Sequence, residues 1–241
     1  MAKDSVDSMA TESHRNIDDP NPSSIIELSY KDSPLLIALG GVAGRRGPPP
    51  FELFNITKNL KANKIYLRDL EQVWYQSGVF GISTNIDEKG INKVAVFGNS
   101  MGGYAAIIIG VLIEAGCVHA FSPQTFIHNP RYIRNKDKIR YLHNKYFDLK
   151  PVIKSHRSIC DINIYYDKNE KIDETHARHL MNMKNITLHP YDEGGHGLIR
   201  LLRDSGELNN IIASSLNTLP GKPTNVDISH RPSFLAKLFG R

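Results

Sequence analysis

Short, mainly apolar runs recur along this chain, each closed by small or polar residues, and the stretches between them space their apolar positions three and four apart. The runs fall at 35–39, 64–67, 94–97, 117–121, 162–166 and 186–190. The continuous hydrophobicity of 35–39 predicts a strand covered on both faces, and the other runs read as further short strands. A weaker stretch at 25–30 predicts an edge strand. Phe51, Leu53, Phe54 and Leu60 follow Pro48, Pro49 and Pro50 at helical spacing, as in a helix that starts on proline. Helical spacing also covers 104–115, about 174–183 and 198–216, the last with Ser205-Gly206 as a potential break. Strands alternating with helices in this way predict an α/β fold, a mostly parallel central sheet with helices on both faces.

Length and composition set bounds on that picture. The 241 residues suffice for one well-buried α/β domain and are too few for two large ones. A polar tail is expected over 1–24, the domain over 25–216, and a basic extension over 217–241. No apolar run approaches the roughly 20 residues of a membrane-spanning helix. The polar N-terminus has no apolar signal core, so a cytoplasmic location is expected. Cys117 and Cys160 show neither metal-ligand spacing nor a disulfide framework, and are read as free thiols. The net charge of +5 is uneven: between Arg131 and Arg157 nine Lys or Arg face only Asp137 and Asp148. This stretch belongs to an insertion at about 124–158, expected to form a small basic helical cap. Such a cap either is a solvated face or favours anionic substrates. Nucleic acid is not the expected partner, because Tyr141 and Phe147 fit the apolar face of a cap as well as they fit base stacking.

Chemistry concentrates where apolar runs end. The run at 94–97 leads into Gly98-Asn99-Ser100-Met101-Gly102 and then an alanine-rich helical pattern. A Gly-x-Ser-x-Gly string alone is weak evidence. Between a strand and a helix it describes a sharp turn that exposes a serine hydroxyl and aims the free N–H groups of a helix start at a developing oxyanion. After the run at 186–190 comes Asp192-Glu193-Gly194-Gly195-His196-Gly197, which offers an unobstructed imidazole as base for Ser100. After the run at 162–166 lie Asp167, Glu170 and Asp173, any of which could orient His196. Asp173 is favoured narrowly; as a residue at a helix start it is equally a cap, and Glu170 and Asp167 are alternatives that also read as solvated loop charges. Trp74 and Tyr75 read first as packing residues and second as pocket walls. Arg45 follows the Gly40-Gly41 turn and is a candidate for contact with a substrate anion.

These motifs make the chain resemble the α/β-hydrolase superfamily over about 35–216, through the Ser100 elbow, the Gly-Gly-His-Gly loop at His196 and the Gly40-Gly41 turn. The resemblance implies an oxyanion hole from the N–H of Met101 with that of Val42 or Gly41. Gly-Gly-Val-Ala-Gly followed by Pro-Pro-Phe-Glu, with Arg-Asp-Leu-Glu-Gln-Val-Trp-Tyr, is similar to bacterial hydrolase-like domains, some of which accompany surface-polysaccharide assembly. The expected function is a serine hydrolase acting on an acyl ester or thioester through an acyl-enzyme, on an anionic or carbohydrate-linked substrate, with no cofactor or metal. An acyltransferase using the same residues is one alternative, and a non-catalytic interaction module in a polysaccharide assembly system is another. The sequence assigns no oligomeric state.

Overall fold

A computed structural model describes residues 13–14, 23–30, 32–42, 48–75, 91–127, 129–134, 148–155 and 160–219. Its strands are β1 (Ser13–His14), β2 (Ser24–Glu27), β3 (Leu35–Leu39), β4 (Asn63–Leu67), β5 (Val94–Asn99), β6 (Cys117–Phe121), β7 (Asp161–Asp167) and β8 (Ile186–Tyr191). They form one eight-stranded sheet in the order β1-β2-β4-β3-β5-β6-β7-β8. All pairs from β4 to β8 are parallel, and β2 joins β4 antiparallel. The edge strand β1 lies inside the expected tail, where Ser13 and His14 pair with Glu27 and Ile26; the rest of 1–22 and all of 220–241 lie outside the described residues.

The continuous apolar runs are explained by two cores, one on each face. Leu35, Ile37 and Leu39 of β3 face one core; Leu36 and Ala38 face the other. The helices are α1 (Phe54–Thr57), α2 (Met101–Leu112), α3 (Leu149–Ser155), α4 (Lys171–His179), α5 (Leu198–Asp204) and α6 (Glu207–Thr218). Side chains of α2, α3 and α4 fill the first core, and those of α5 and α6 the second. Helix α2 is apolar all round because it lies between the sheet and α3, with every residue from Met101 to Val111 buried. Among the described residues, no helix is long and apolar enough to cross a membrane.

Three details depart from the sequence expectation. The helix after the prolines is a single turn, preceded by Leu53 at φ 62°. Helix α4 starts at Lys171, so Asp173 lies in its first turn and not in a loop before it. The expected cap is built into the domain at its ends: Gln124, Thr125 and Ile127 are fully buried, and Leu149 and Val152 of α3 join the first core. Residues 135–147 and 156–159, with most of the basic stretch and with Tyr141 and Phe147, lie outside the described residues.

Candidate active site

The parallel strands bring their carboxyl ends to one edge, where the loops after β3, β5, β6, β7 and β8 meet. Ser100 follows β5 at φ 55° and ψ −115°, a conformation that side-chain-bearing residues rarely adopt. It is held there by its own N–H donating to the Phe121 carbonyl at 2.8 Å, and by its carbonyl accepting the first helical bond of α2, from Tyr104 N–H at 3.1 Å. The turn closes only over glycine: a Cβ on Gly98 would lie 2.1 Å from the Gly102 carbonyl oxygen, and one on Gly102 would lie 2.2 Å from that of Leu39. Helix α2 begins at Met101, so the N–H groups of its first turn, which have no partner within the helix, follow directly on Ser100.

His196 sits on a 3₁₀ turn, Gly195–Gly197, after β8. Its Nε2 is 2.8 Å from Ser100 Oγ, and its Nδ1 is 2.9 Å from each of the two Asp173 carboxylate oxygens. The Asp173 side chain is 0% exposed, so the ring faces a desolvated carboxylate whose position in the first turn of α4 suits a negative charge. The two other acids have different partners. Glu170 pairs with Arg134 at 2.9 Å. Asp167 accepts the N–H groups of Asn169 at 2.8 Å and Gly195 at 2.7 Å, and so fixes the loop that carries His196. Glu170 is also the N-cap residue of α4, without a side-chain capping bond; capping is therefore not the observed role of Asp173.

Two residues that the sequence left unassigned complete a ring of contacts. Arg134 Nε and Nη2 each donate to Asp173 Oδ1 at 3.3 Å. Its backbone N–H donates to Gln124 Oε1 at 3.3 Å, and Gln124 Nε2 donates to Ser100 Oγ at 3.5 Å. Gln124 is fully buried. Behind the acid, His176 packs on Phe126 and donates from Nε2 to the Tyr132 carbonyl at 2.8 Å. Burial holds the imidazole of His176 down at about 4.

The early loop lies across from His196. Gly41 closes on the elbow, since a Cβ there would be 3.1 Å from the Asn99 carbonyl oxygen and 3.6 Å from Ser100 Cβ. Val42 lines a cavity of about 420 Å³ together with Ser100, Arg134, His196 and Arg200. Tyr75 supports this loop from below, donating its hydroxyl to the carbonyls of Gly40 at 2.8 Å and Leu67 at 3.2 Å. Trp74 packs edge-on against Tyr104. Both residues have positive φ and are held by Asp69, whose carboxylate accepts the N–H groups of Gln72 and Tyr75. Buried at 2% and 7% exposure, Trp74 and Tyr75 belong to the core and line neither cavity at the elbow. Arg45 lies outside the described residues.

A second cavity, of about 320 Å³, shares Val42, Asn99, Ile199 and Arg200 with the first and extends to Glu52 and Arg203. The half-buried Glu52 carboxyl is raised above its ordinary value by burial, against the opposing effects of a hydrogen bond from the Asn99 side chain and the charges of Arg200 and Arg203. Nothing in the spacing of Glu52, Gln124, Arg134 or Arg200 marks them, because they reach the site from four separate segments.

No family model matches the chain, and no curated protein is similar to it in sequence. Solved structures are similar in three dimensions. The capsule O-acetyltransferase of Neisseria meningitidis serogroup A superposes with a TM-score of 0.63 at 14% identity, over 79% of this chain and 92% of that one. A chain of the Glycosylation Associate Protein (Gap123) complex from Streptococcus agalactiae gives 0.58 at 14% identity, over 83% of this chain and 46% of that one. XC6422 from Xanthomonas campestris, an α/β serine hydrolase without a lid, gives 0.51 at 10% identity, over 83% of this chain and 94% of that one. The likeness is one of fold, and together with the sheet order and the elbow after β5 it makes this chain an α/β-hydrolase fold.

Proposed function

We propose that the protein is a serine acyl hydrolase that cleaves an ester or thioester through an acyl-enzyme on Ser100. One observation carries this reading: the unbroken series Ser100 Oγ, His196 Nε2, His196 Nδ1 and the Asp173 carboxylate, with contacts of 2.8 and 2.9 Å. A serine hydroxyl is unreactive at neutral pH until a base takes its proton as it attacks. In this reading Ser100 Oγ bonds to the acyl carbonyl carbon while its proton passes to His196 Nε2. Asp173 accepts the Nδ1–H, keeps Nε2 as the acceptor and faces the imidazolium once it forms. Met101 N–H, with that of Val42 or Gly41, bonds the oxyanion; this is supported by the close approach of Gly41 to the elbow, where an added Cβ would lie 3.6 Å from Ser100 Cβ. The imidazolium then protonates the leaving alkoxide or thiolate, and the carbonyl re-forms on Ser100. Water, deprotonated by His196, releases the acid. Arg134 and Arg200 on the cavity wall favour an anionic portion of the substrate.

Transfer of the acyl group to an alcohol in place of water is the second reading. It is favoured by the presence of a capsule O-acetyltransferase among the similar structures, one mutant form of which is in complex with CoA. Both readings share the acyl-enzyme, so one experiment tests them together. A fluorophosphonate probe should label the wild-type protein at Ser100, and Ser100→Ala should abolish labelling and the release of p-nitrophenol from p-nitrophenyl acetate. Labelling or turnover that persists in folded Ser100→Ala protein sinks both.

A further inference from the structure

We infer that Glu52, Asn99 and Arg200 form a subsite for a neutral polyhydroxylated acceptor, a sugar or sugar-like alcohol, which competes with water for the acyl group on Ser100. The inference rests on the acyl-enzyme reading above and names the molecule that takes the acyl group from it. Its first ground is place. The cavity of about 320 Å³ is continuous with that of the nucleophile through Val42, Asn99, Ile199 and Arg200, and Asn99 is the residue before Ser100. Its volume lies within the range of about 300–1,000 Å³ that holds small ligands.

The second ground is the chemistry of its polar groups. The Asn99 side chain donates to Glu52, while Asn99 Oδ1 is buried with no hydrogen-bond partner among the described residues. Glu52 supplies a carboxyl acceptor a short way off, and Arg200 supplies donors on the wall common to both cavities. Acceptors and donors thus alternate within one small space. Hydroxyl groups, which give and accept a hydrogen bond at once, suit a wall that carries both the Glu52 carboxyl and the Arg200 guanidinium. A phosphate or carboxylate would meet the Glu52 carboxyl as well as Arg200 and Arg203, and an alkyl chain would leave these groups unpaired.

The step balances without a further reactant. An acceptor hydroxyl gives its proton to His196 Nε2 as its oxygen bonds to the acyl carbon; the Ser100 Oγ–acyl bond then breaks, and His196 returns the proton to Oγ. The products are an acylated sugar and free Ser100.

The experiment measures partition of the acyl-enzyme. Full-length protein is given p-nitrophenyl acetate with methyl glucoside, galactoside, mannoside or N-acetylglucosaminide, and mass spectrometry compares acetylated glycoside with acetate. The expected result is saturable transfer to at least one glycoside, with the transfer-to-hydrolysis ratio falling at least tenfold in Glu52→Ala and in the exposed-site variant Arg200→Gln. Ratios within twofold of wild type in both variants overturn the subsite. So does labelled, active Ser100 with no transfer to any glycoside. If no activity depends on Ser100, the acyl-enzyme reading has failed, and binding alone decides the subsite: saturation-transfer NMR of the glycosides on Ser100→Ala protein should give signals that Glu52→Ala removes. Absence of those signals, or their survival in the double variant, overturns it.

Discussion

Replacing Asp173 by Asn, beside Glu170 by Gln, separates the acid behind His196 from its neighbour. Asn is nearly isosteric and keeps the Arg134 contacts if its oxygen stays at the Oδ1 position. Its oxygen still lies 2.9 Å from His196 Nδ1, but the amide NH₂ at the Oδ2 position lies equally near and opposes the Nδ1–H. That opposition favours the tautomer with its proton on Nε2, which leaves Ser100 without an acceptor, and the charge that faces the imidazolium is lost. The Asp173 side chain is 0% exposed, so water does not replace that charge. Loss of an orienting acid of this kind costs about 10³–10⁴-fold in kcat, or about 4–5.5 kcal/mol at 1.36 kcal/mol per decade. Glu170 and Arg134 are 33% and 25% exposed. A pair so open to solvent contributes about 0–1 kcal/mol, so Glu170→Gln should cost no more than about fivefold. Steady-state hydrolysis of p-nitrophenyl acetate at pH 8 is the assay, with circular dichroism to confirm folding. Equal losses in the two variants, or a larger loss in Glu170→Gln, would refute the assignment of Asp173.

Two further outcomes concern stability. His119, stacked between Phe97 and Tyr165 and bonded to the Tyr165 and Ser215 hydroxyls, is held down at about 4 by burial, as is His176. The unfolded imidazole takes its proton near 6.5, so the unfolded chain binds more protons between pH 6.5 and 4. Stability is therefore full above that window and falls through it by about 3 kcal/mol per histidine. Urea midpoints measured from pH 7 to 4 should show this fall, and His119→Gln should flatten it; a slope unchanged in the variant removes His119 as its source. Gly98→Ala forces a Cβ to within 2.1 Å of the Gly102 carbonyl oxygen, which should cost about 3 kcal/mol or more in thermal or denaturant unfolding. An unperturbed midpoint would show that the elbow has room the geometry denies it.

The strand Leu35–Leu39 was legible because burial on both faces leaves no polar position in it, and the others because their few polar residues, such as His119, stand among apolar ones. The elbow was legible because backbone contact at Gly98 and Gly102 admits one residue type. The acid was not, since Asp167, Glu170 and Asp173 lie within one loop and helix start and differ only in what meets them: the Gly195 N–H, Arg134 and His196. Trp74 and Tyr75 were ambiguous for a related reason. An aromatic pair after a strand serves a pocket or a loop equally well in sequence; the Tyr75 bond to the Gly40 carbonyl makes it a support. Glu52, Gln124 and Arg200 were not singled out, because one polar residue, in a loop or, like Arg200, on helix α5, acquires meaning only from a partner distant in the chain.

The ring around Ser100 shows how those distant partners act together. Ser100 comes from the end of β5, Gln124 and Arg134 from the segment after β6, Asp173 from α4 after β7, and His196 from the turn after β8. Each loop is tied to the next, so the site spans four successive crossovers of one sheet and inherits its rigidity from the strands beneath. The tie at Arg134 also places a cation against the oxygen that His196 uses. The same side chain reaches the cavity wall. Glu170 pairs with the same guanidinium at 2.9 Å and helps to hold it in place. Arg134, near the start of the stretch that reads in sequence as a basic cover, thus enters the structure as part of the site's frame.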